Sequence, residues 1–143
     1  MANKLGSAVY FEYNIAPTET ELEGKLILDK QTGRLTHAFN LVGELGFEKQ
    51  FEQQGNDLKA QTEKEFNLEL NYGLSYKIND RWFAGAEIMN KNVFAEGELE
   101  KSILTAGPGV AYIGDGFWVN FTLMPQLANL KGGGRSLIDD DGL

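Results

Sequence analysis

Residues 66–76 read Phe66-Asn67-Leu68-Glu69-Leu70-Asn71-Tyr72-Gly73-Leu74-Ser75-Tyr76, with a large apolar side chain at every even position. Side chains two residues apart point to the same side of a β-strand, so this alternation predicts a strand with one apolar and one polar face. The length agrees with the roughly 9 to 11 residues that a tilted transmembrane strand needs. A soluble antiparallel sheet with one buried face gives the same alternation. The neighbouring segments must therefore distinguish lipid from a protein core.

The composition sets limits on fold and function. The chain of 143 residues has 13 basic and 21 acidic side chains, and its net charge of −8 opposes binding to nucleic acid. Its length predicts a single domain over residues 1–143. It contains no cysteine, which excludes disulfides and thiolate metal sites. No run of about 18 apolar residues occurs, so the sequence predicts no transmembrane helix, but strands with interleaved polar residues are compatible with a membrane barrel.

The same alternation recurs along the chain between turn residues. It predicts seven strands, over residues 8–15, 19–29, 35–51, 66–76, 81–92, 102–113 and 117–127. The polar stretches 52–63 and 91–101 are predicted as solvated loops, and the glycine-rich, acidic segment 131–143 as a loop or tail. Pro108 cannot donate to a strand ladder, so it implies a bulge, an edge position or an error in that strand. The predicted fold class is all-β, an antiparallel up-and-down meander of seven to eight strands forming a β-barrel.

Two predicted hairpins repeat one pattern. Residues 78–83 and residues 113–118 both read Ile-x-Asp-x-aromatic-aromatic, and each joins two strands. Minimal turns on one rim and long loops on the other, with aromatic residues near the short rim, are typical of a transmembrane barrel. The alternative is an ordinary meander, which also has some short turns and some buried aromatic residues.

Three segments carry a resemblance to a known class of protein. They are Leu22–Leu28, the hairpin Leu74–Glu87, and Gly107–Tyr112 followed by Gly116–Val119. From about Ser7 to Leu130, the chain resembles Gram-negative outer-membrane β-barrel proteins of the porin-like or transporter-like kind. The resemblance implies an outer-membrane location and a barrel architecture, with a lipid bilayer or detergent as partner. It implies no active-site residue.

The predicted strand count departs from that class. Bacterial single-chain barrels have an even number of strands, whereas seven are predicted here, and the sequence stops at Asp139-Asp140-Asp141-Gly142-Leu143. We therefore expect either a fragment that lacks at least the closing C-terminal strand or an eighth strand within Met1–Gly6 or the tail. An unclosed sheet leaves unpaired backbone groups at two edges, so self-association is expected if the barrel is incomplete.

Polar side chains on the face opposite the large apolar residues are the candidate functional residues. In a barrel this face lines the lumen, and its carboxylates would favour cations. The alternative is that the glutamates only solvate a wet face and pair with Lys25, Lys77 and Arg81. The predicted lumen-facing residues are Asn40, Glu44, Glu48, Asn67, Glu69, Asn71, Glu87 and Asn120.

The sequence predicts no catalytic, cofactor or metal site, and no enzyme activity. His37 is the only histidine, so we expect no Ser-His-Asp triad, no histidine metal cage and no general-base pair of two histidines. The expected function is that of a passive solute channel or a structural envelope protein with an acidic lumen. The alternative is a soluble lipocalin-like antiparallel barrel that binds a small hydrophobic ligand, with Leu68, Leu70 and Tyr72 in its core.

Overall fold

The computed structural model describes residues 4–54 and 57–132. All of its regular structure is β-strand, and no helix in these two ranges is long and apolar enough to cross a membrane. Residues 133–143 of the predicted tail lie outside the described part of the chain. The strands are β1 Leu5–Ile15, β2 Glu19–Thr32, β3 Leu35–Gln54, β4 Asp57–Lys77, β5 Trp82–Ala95, β6 Glu98–Ile113, β7 Trp118–Thr122 and β8 Gln126–Lys131.

These strands form one antiparallel sheet in chain order, β1 to β7, with β8 also paired to β6. The sheet curls into a half-barrel, so the predicted all-β antiparallel meander is confirmed. Among the described residues, no pairing joins β1 to β7 or β8. The sheet therefore stays open, with β1 at one edge and β7 and β8 at the other.

The strands β7 and β8 are two parts of one interrupted strand alongside β6. Trp118–Thr122 pairs with Gly109–Ile113, and Gln126–Lys131 pairs with Ser102–Thr105. At the interruption, the Pro108 carbonyl accepts the Leu123 N–H at 3.0 Å, whereas Pro108 has no N–H to return. The sequence analysis gave three alternatives for Pro108, namely a bulge, an edge position or an error in the predicted strand. The structure keeps β6 continuous through Pro108 and places the irregularity in the partner strand.

Two predicted loops are wrong. The prediction of a loop at residues 52–63 fails because β3 continues to Gln54, which pairs with Asp57 at the start of β4. The loop predicted at residues 91–101 is a hairpin in which Glu96 and Gly97 have positive φ angles of 51° and 86°, as in a type I′ turn. Both stretches are rich in polar residues and lack a regular alternation, which is the sequence signal of a half-buried strand. The predicted contrast between long and short connections is therefore wrong as well.

The hairpin of β3 and β4 extends beyond its neighbours. The last backbone contact of β3 with the segment before β2 is from the Lys49 N–H to the Thr18 carbonyl, at 2.7 Å, and β4 first meets β5 where Glu65 faces Ala95. Lys49 faces Thr62, and from Thr62 to Asp57, at about 3.3 Å per residue, this two-stranded ribbon is about 17 Å long. We call this end of the sheet the ribbon rim.

The opposite end carries the turns after β2, β4 and β6, and we call it the aromatic rim. The hairpins at residues 78–83 and 113–118 meet there. The Trp82 and Tyr112 rings lie 4.9 Å apart between centroids, and the Tyr112 and Phe117 rings 5.9 Å apart. Arg81 reaches Asp115 in the second turn at 3.5 Å. The repeated sequence pattern thus produces two adjacent turns with a shared aromatic cluster.

The two faces of the sheet differ sharply in chemistry. The strand register places Leu26, Leu41 and Leu70 in one row on the apolar face, and Lys25, Val42 and Glu69 in the adjacent row on the polar face. The cavities between side chains lie mainly on the polar face, so we infer that this is the concave side of the half-barrel.

Burial follows the same division. Val42, on the polar face, is the only buried hydrophobic side chain in the described part of the chain, with 8% of its surface exposed. On the convex apolar face, Phe11 is 75% exposed, Tyr72 42% and Leu70 36%. The large apolar side chains of this sheet therefore form an outer surface instead of a core.

Candidate functional site on the polar face

The strand register places all eight candidate residues on the polar face. Five of them line one cavity of about 170 Å³ near the middle of the sheet, which we call the central well. Glu87 and Asn120 line a neighbouring cavity toward the aromatic rim, and Glu48 lines a third cavity toward the ribbon rim. The central well is lined by Glu23, Lys25, Asn40, Val42, Glu44, Asn67, Glu69, Asn71 and Lys91.

The antiparallel register explains why these positions meet. Residues that face each other across neighbouring strands point to the same side of the sheet. One row of the well contains Glu23, Glu44 and Asn67, and the next contains Lys25, Val42, Glu69 and Lys91. The third row pairs Asn40 with Asn71. Three adjacent rows on β2 to β5 therefore form the well.

Side-chain amides hold the carboxylates of the well in place. The Asn67 Nδ2 group donates to Glu44 Oε1 at 3.0 Å and to Glu65 Oε1 at 2.8 Å. The Asn71 Nδ2 group donates to Glu69 Oε1 at 2.7 Å. A carboxylate only accepts hydrogen bonds, so these contacts determine which way each amide points. Rotating either amide would turn its own oxygen toward a carboxylate oxygen.

Three side-chain amide oxygens in the well have no protein partner. Asn40 Oδ1, Asn67 Oδ1 and Asn71 Oδ1 are all buried without a hydrogen bond. Asn67 is the most enclosed of the three, with 9% of its surface exposed. Leaving a buried acceptor unsatisfied costs about 1–3 kcal/mol. The packing of the well therefore leaves three amide oxygens enclosed by protein and unsatisfied.

The charges of the well are mixed. Its lining has three carboxylates, Glu23, Glu44 and Glu69, against the two ammonium groups of Lys25 and Lys91, which leaves one net negative charge. The Lys25 Nζ group lies 3.1 Å from Glu23 Oε1. Of the cations considered as partners for the polar-face glutamates, only Lys25 is therefore seen in an ion pair with one of them.

The other two cations pair with aspartates in the turns of the aromatic rim. Lys77 lies 2.7 Å from Asp80, and Arg81 pairs with Asp115. The hydrogen bond from Lys77, reinforced by the charges of Lys77 and Arg34, holds the pKa of Asp80 below its ordinary value. These pairs order the turns and leave the carboxylates of the polar face for other partners.

The cavity at the ribbon rim is strongly acidic, with Glu48, Glu63 and Glu65 among its lining residues. Within residues 4–54 and 57–132, no group of three or more histidine or carboxylate side chains is arranged to hold a metal ion. His37 lies on the apolar face, where its Nδ1 atom is 2.7 Å from the Tyr72 hydroxyl. It takes no part in the polar-face site.

Sequence reasoning missed two features of the sheet. It considered Lys25 as a partner for the polar-face glutamates, but it did not place Lys91 beside them, because that requires the register between strands. It also missed a polar cluster on the apolar face, in which Ser102 donates to Asn92 at 2.6 Å and Asn90 donates to Ser102 at 3.3 Å. The weak alternation of β5 was the only sequence signal for this cluster.

Comparison with known proteins gives a family for the chain. No curated protein and no solved structure matches it. One family model matches residues 14–141, from the end of β1 through β8, so every residue of the central well lies inside the match. The chain belongs to the family of unknown function DUF6662.

Proposed function

We propose that this chain forms most of a Gram-negative outer-membrane β-barrel, with lipid on its apolar face and an aqueous, acidic interior on its polar face. In this proposal it acts as a passive solute channel. The observation that carries the proposal is the exposure of the apolar face, where Phe11, Leu70 and Tyr72 lie on the convex surface. Soluble monomers rarely expose an apolar surface of such extent.

The height of the apolar face supports a bilayer. On β4 it runs from Phe66 to Tyr76, ten residue steps apart, which is about 33 Å along the strand at 3.3 Å per residue. A strand tilt of about 40° reduces this to about 25 Å along the membrane normal, the height of the apolar band in outer-membrane barrels. Aromatic residues flank the band, with Phe66 and Phe94 in contact at one end and Trp82 and Tyr112 at the other.

The orientation of the curl favours this proposal over a soluble lipocalin-like barrel. A barrel that binds an apolar ligand encloses its apolar side chains. Here the concave side carries the asparagines and carboxylates of the central well. The apolar cavity formed by Trp82, Val110 and Phe121, among others, lies on the convex face.

The polar cluster on the apolar face is compatible with lipid because its groups bond to one another. Asn92 donates to Asn90 Oδ1 at 2.6 Å and receives the Ser102 hydroxyl, and Asn90 also donates to the Ile103 carbonyl at 3.2 Å. Ser102 keeps only 4% of its surface exposed. Polar groups in a bilayer must be satisfied within the protein, and this network meets that requirement.

The open edges add a requirement to the proposal. Each hairpin reverses the chain, so six reversals leave β1 and β7 running in the same direction. An odd number of further strands would pair antiparallel with both edges, whereas direct closure would be parallel. Because lipid cannot satisfy edge backbone groups, we expect closure by further strands or by self-association.

The face assignment can be tested with adjacent residues on opposite faces. The chain has no cysteine, so Glu69→Cys and Leu70→Cys each introduce a single labelling site. With the protein folded in phospholipid vesicles, we expect a spin label at position 70 to collide with oxygen and a label at position 69 to collide with a water-soluble nickel chelate. The opposite pattern, or folding to a stable monomer without detergent, would refute the proposal.

Channel activity has its own test. We expect cation-selective conductance in planar bilayers, because the carboxylates focus a negative potential in the interior. Changing Glu44, Glu69 and Glu87 together to glutamine should shift the reversal potential toward anions. Selectivity that does not change would remove these three residues from the mechanism, and a protein without conductance would limit the proposal to a structural envelope role.

A further inference from the structure

We propose that Lys49 and Lys64 bind the phosphate of an anionic phospholipid at the ribbon rim. Both side chains lie on the apolar face, just beyond the end of its apolar band, so the acyl chains of the same lipid would lie against the band. This inference rests on the proposed function and deepens it, because it names the headgroup that the outer surface of the barrel selects.

Charged side chains are segregated between the two faces of β1 to β5. In the described part of these strands, the register places every carboxylate on the polar face. Apart from His37, the titratable residues with charged side chains on the apolar face are three lysines, Lys30, Lys49 and Lys64. The chain as a whole carries a net charge of −8. The outer face of these strands therefore has the opposite sign to the protein, which makes it complementary to an anion.

Lys49 and Lys64 are diagonal neighbours on β3 and β4. Phe47 faces Lys64, and Lys49 faces Thr62, so these four side chains form two adjacent rows that we call the lysine patch. Diagonal neighbours on one face of an antiparallel pair lie about 7–8 Å apart, within reach of long side chains. Both lysines and Thr62 are exposed. Two ammonium groups and one hydroxyl can therefore converge on a single phosphate.

The protein does not neutralise the ammonium groups of the lysine patch. Within residues 4–54 and 57–132, neither lysine lies in an ion pair. The Lys64 Nζ atom lies 5.8 Å from the centroid of the Phe47 ring, a cation–π contact that holds it at the end of the apolar band. Glu48 and Glu63 are next to the patch in sequence, but they face each other on the polar side of the sheet. Both cations remain available to an external anion.

The depth of the lysine patch matches the headgroup layer of a bilayer. Lys64 lies two residues beyond Phe66 on β4, and Thr62 lies four residues beyond it. At about 3.3 Å per residue and a tilt of about 40°, these positions lie about 5 Å and about 10 Å past the apolar band along the membrane normal. The polar layer on each side of the hydrocarbon is about 5–7 Å thick. The ammonium groups would thus meet lipid phosphates, while Leu45 and Phe66, which face each other in the next row, would meet acyl chains.

Charge selects an anionic headgroup over a zwitterionic one. Phosphatidylcholine carries its own ammonium group beside the phosphate, so its net charge is zero, whereas phosphatidylglycerol has a net negative charge. Near a membrane surface, each basic side chain strengthens attraction to anionic lipid by about fivefold. The net charge of −8 acts in the opposite direction and repels anionic lipid. A preference for phosphatidylglycerol would therefore have to come from cations on the outer face.

A label next to the lysine patch tests this proposal. Leu22→Cys introduces a single labelling site in a chain without cysteine. Leu22 is 49% exposed and faces Leu45, one row from Phe47. The labelled protein is folded in vesicles of equal parts phosphatidylglycerol and phosphatidylcholine, in which one lipid or the other has brominated acyl chains that quench the fluorescence on contact.

The two quenching curves give the relative binding constant of the lipids at the label. We expect phosphatidylglycerol to be preferred by at least about fivefold at low salt, and the preference to fall in 1 M salt, where screening acts within about 3 Å. Equal quenching by the two lipids, or a preference for phosphatidylcholine, would overturn the proposal.

A pair of double variants locates the preference. Lys49→Gln with Lys64→Gln should lower the relative binding constant to about one. Lys91→Gln with Lys101→Gln is the matched control, since it removes the same charge from the polar face and should keep the preference. A second label at Val110→Cys reports on a part of the apolar face where the opposing residues are Ala84 and Phe121. The same preference at position 110, or an equal loss in both double variants, would contradict the assignment.

The outcomes separate this inference from the proposed function. If both brominated lipids quench the label at position 22 equally, the apolar face is in contact with lipid and the headgroup assignment alone fails. If neither lipid quenches it while iodide in the water does, the membrane proposal fails with it. The comparison of the two lipids uses a chain with both lysines intact, so it stands if a glutamine variant does not fold.

Discussion

Replacing Leu70 distinguishes lipid from protein as the medium of the apolar face. Leu70 lies four residues from Phe66 and six from Tyr76 on β4. At about 3.3 Å per residue and a tilt of about 40°, it lies about 10 Å from the Phe66 boundary and about 15 Å from the Tyr76 boundary. This places Leu70 close to the middle of the apolar band and Tyr76 at its edge.

If the apolar face lies in a bilayer, the loss of stability caused by an introduced arginine should depend on its depth in the membrane. We expect Leu70→Arg to reduce the free energy of unfolding by about 2–4 kcal/mol, the cost of arginine near the bilayer midplane, and Tyr76→Arg by no more than about 1 kcal/mol. Leu70→Trp supplies the matched apolar control. Lipid chains adapt to a larger side chain, so this variant should be nearly neutral, whereas overpacking a protein core costs about 1–3 kcal/mol.

The assay is equilibrium urea unfolding in phospholipid vesicles, followed by tryptophan fluorescence. Each variant is compared with the parent by its unfolding midpoint at constant slope, since a change in slope would indicate a different unfolding reaction. A tolerated Leu70→Arg would show that the face meets water. A Leu70→Trp variant destabilised by more than about 1 kcal/mol would show that it packs against protein, and either result refutes the membrane assignment.

Three other predictions concern the strand connections. In Gly107→Ala the new Cβ would lie 1.7 Å from the Leu123 carbonyl oxygen, so we expect a loss of about 1–3 kcal/mol in urea unfolding; a neutral result would place the β7–β8 interruption elsewhere. Glu96→Asn should stabilise the hairpin by up to about 1 kcal/mol because asparagine tolerates the left-handed conformation, which a raised midpoint would confirm. The pKa of Asp80 is lowered chiefly by its hydrogen bond from Lys77. The stability that ionised Asp80 contributes is therefore present above its unfolded pKa and is lost as the pH falls through its lower folded pKa. Lys77→Met should raise the Asp80 pKa in an NMR titration.

The assignment of residues to faces was predictable from the sequence. Side-chain direction in a strand has a period of two, so the alternation at residues 66–76 already separates Leu68 and Leu70 from Asn67 and Glu69. The register with β3 and β5 retains that separation. The medium on each side cannot be read from alternation, because a core and a bilayer select the same side chains.

The ends of the strands were less predictable for a physical reason. Beyond the apolar band, β3 and β4 are held by backbone pairing, as where Gln54 faces Asp57. Polar residues on both faces carry no periodic signal, so these extensions read as loops. The turn at Glu96 was missed for a related reason, since a non-glycine residue at a φ of 51° is not expected there.

The central well was predictable in its residue types but not in its location. Alternation placed Asn40, Asn67 and Asn71 on the polar face. Their meeting with Lys25 and Lys91 depends on the offsets between strands, which the turn lengths determine. Lys91 lies opposite Glu69 because of the register between β4 and β5, and alternation within one strand does not give that offset.

Correcting the loops changes which observation supports a membrane role. The connections at both rims are tight where they are described, as at Gly33, Glu96 and Gly116, so connection length no longer distinguishes the rims. The distinction now comes from the strands, because β3 and β4 project beyond the sheet at one end while paired aromatic hairpins close the other. A polar ribbon beyond the Phe66 end of the apolar band and aromatic turns at the Tyr76 end would place the boundaries of the bilayer at these two residues. The membrane proposal therefore depends on the width and exposure of the band between them, which the Leu70 and Tyr76 variants measure.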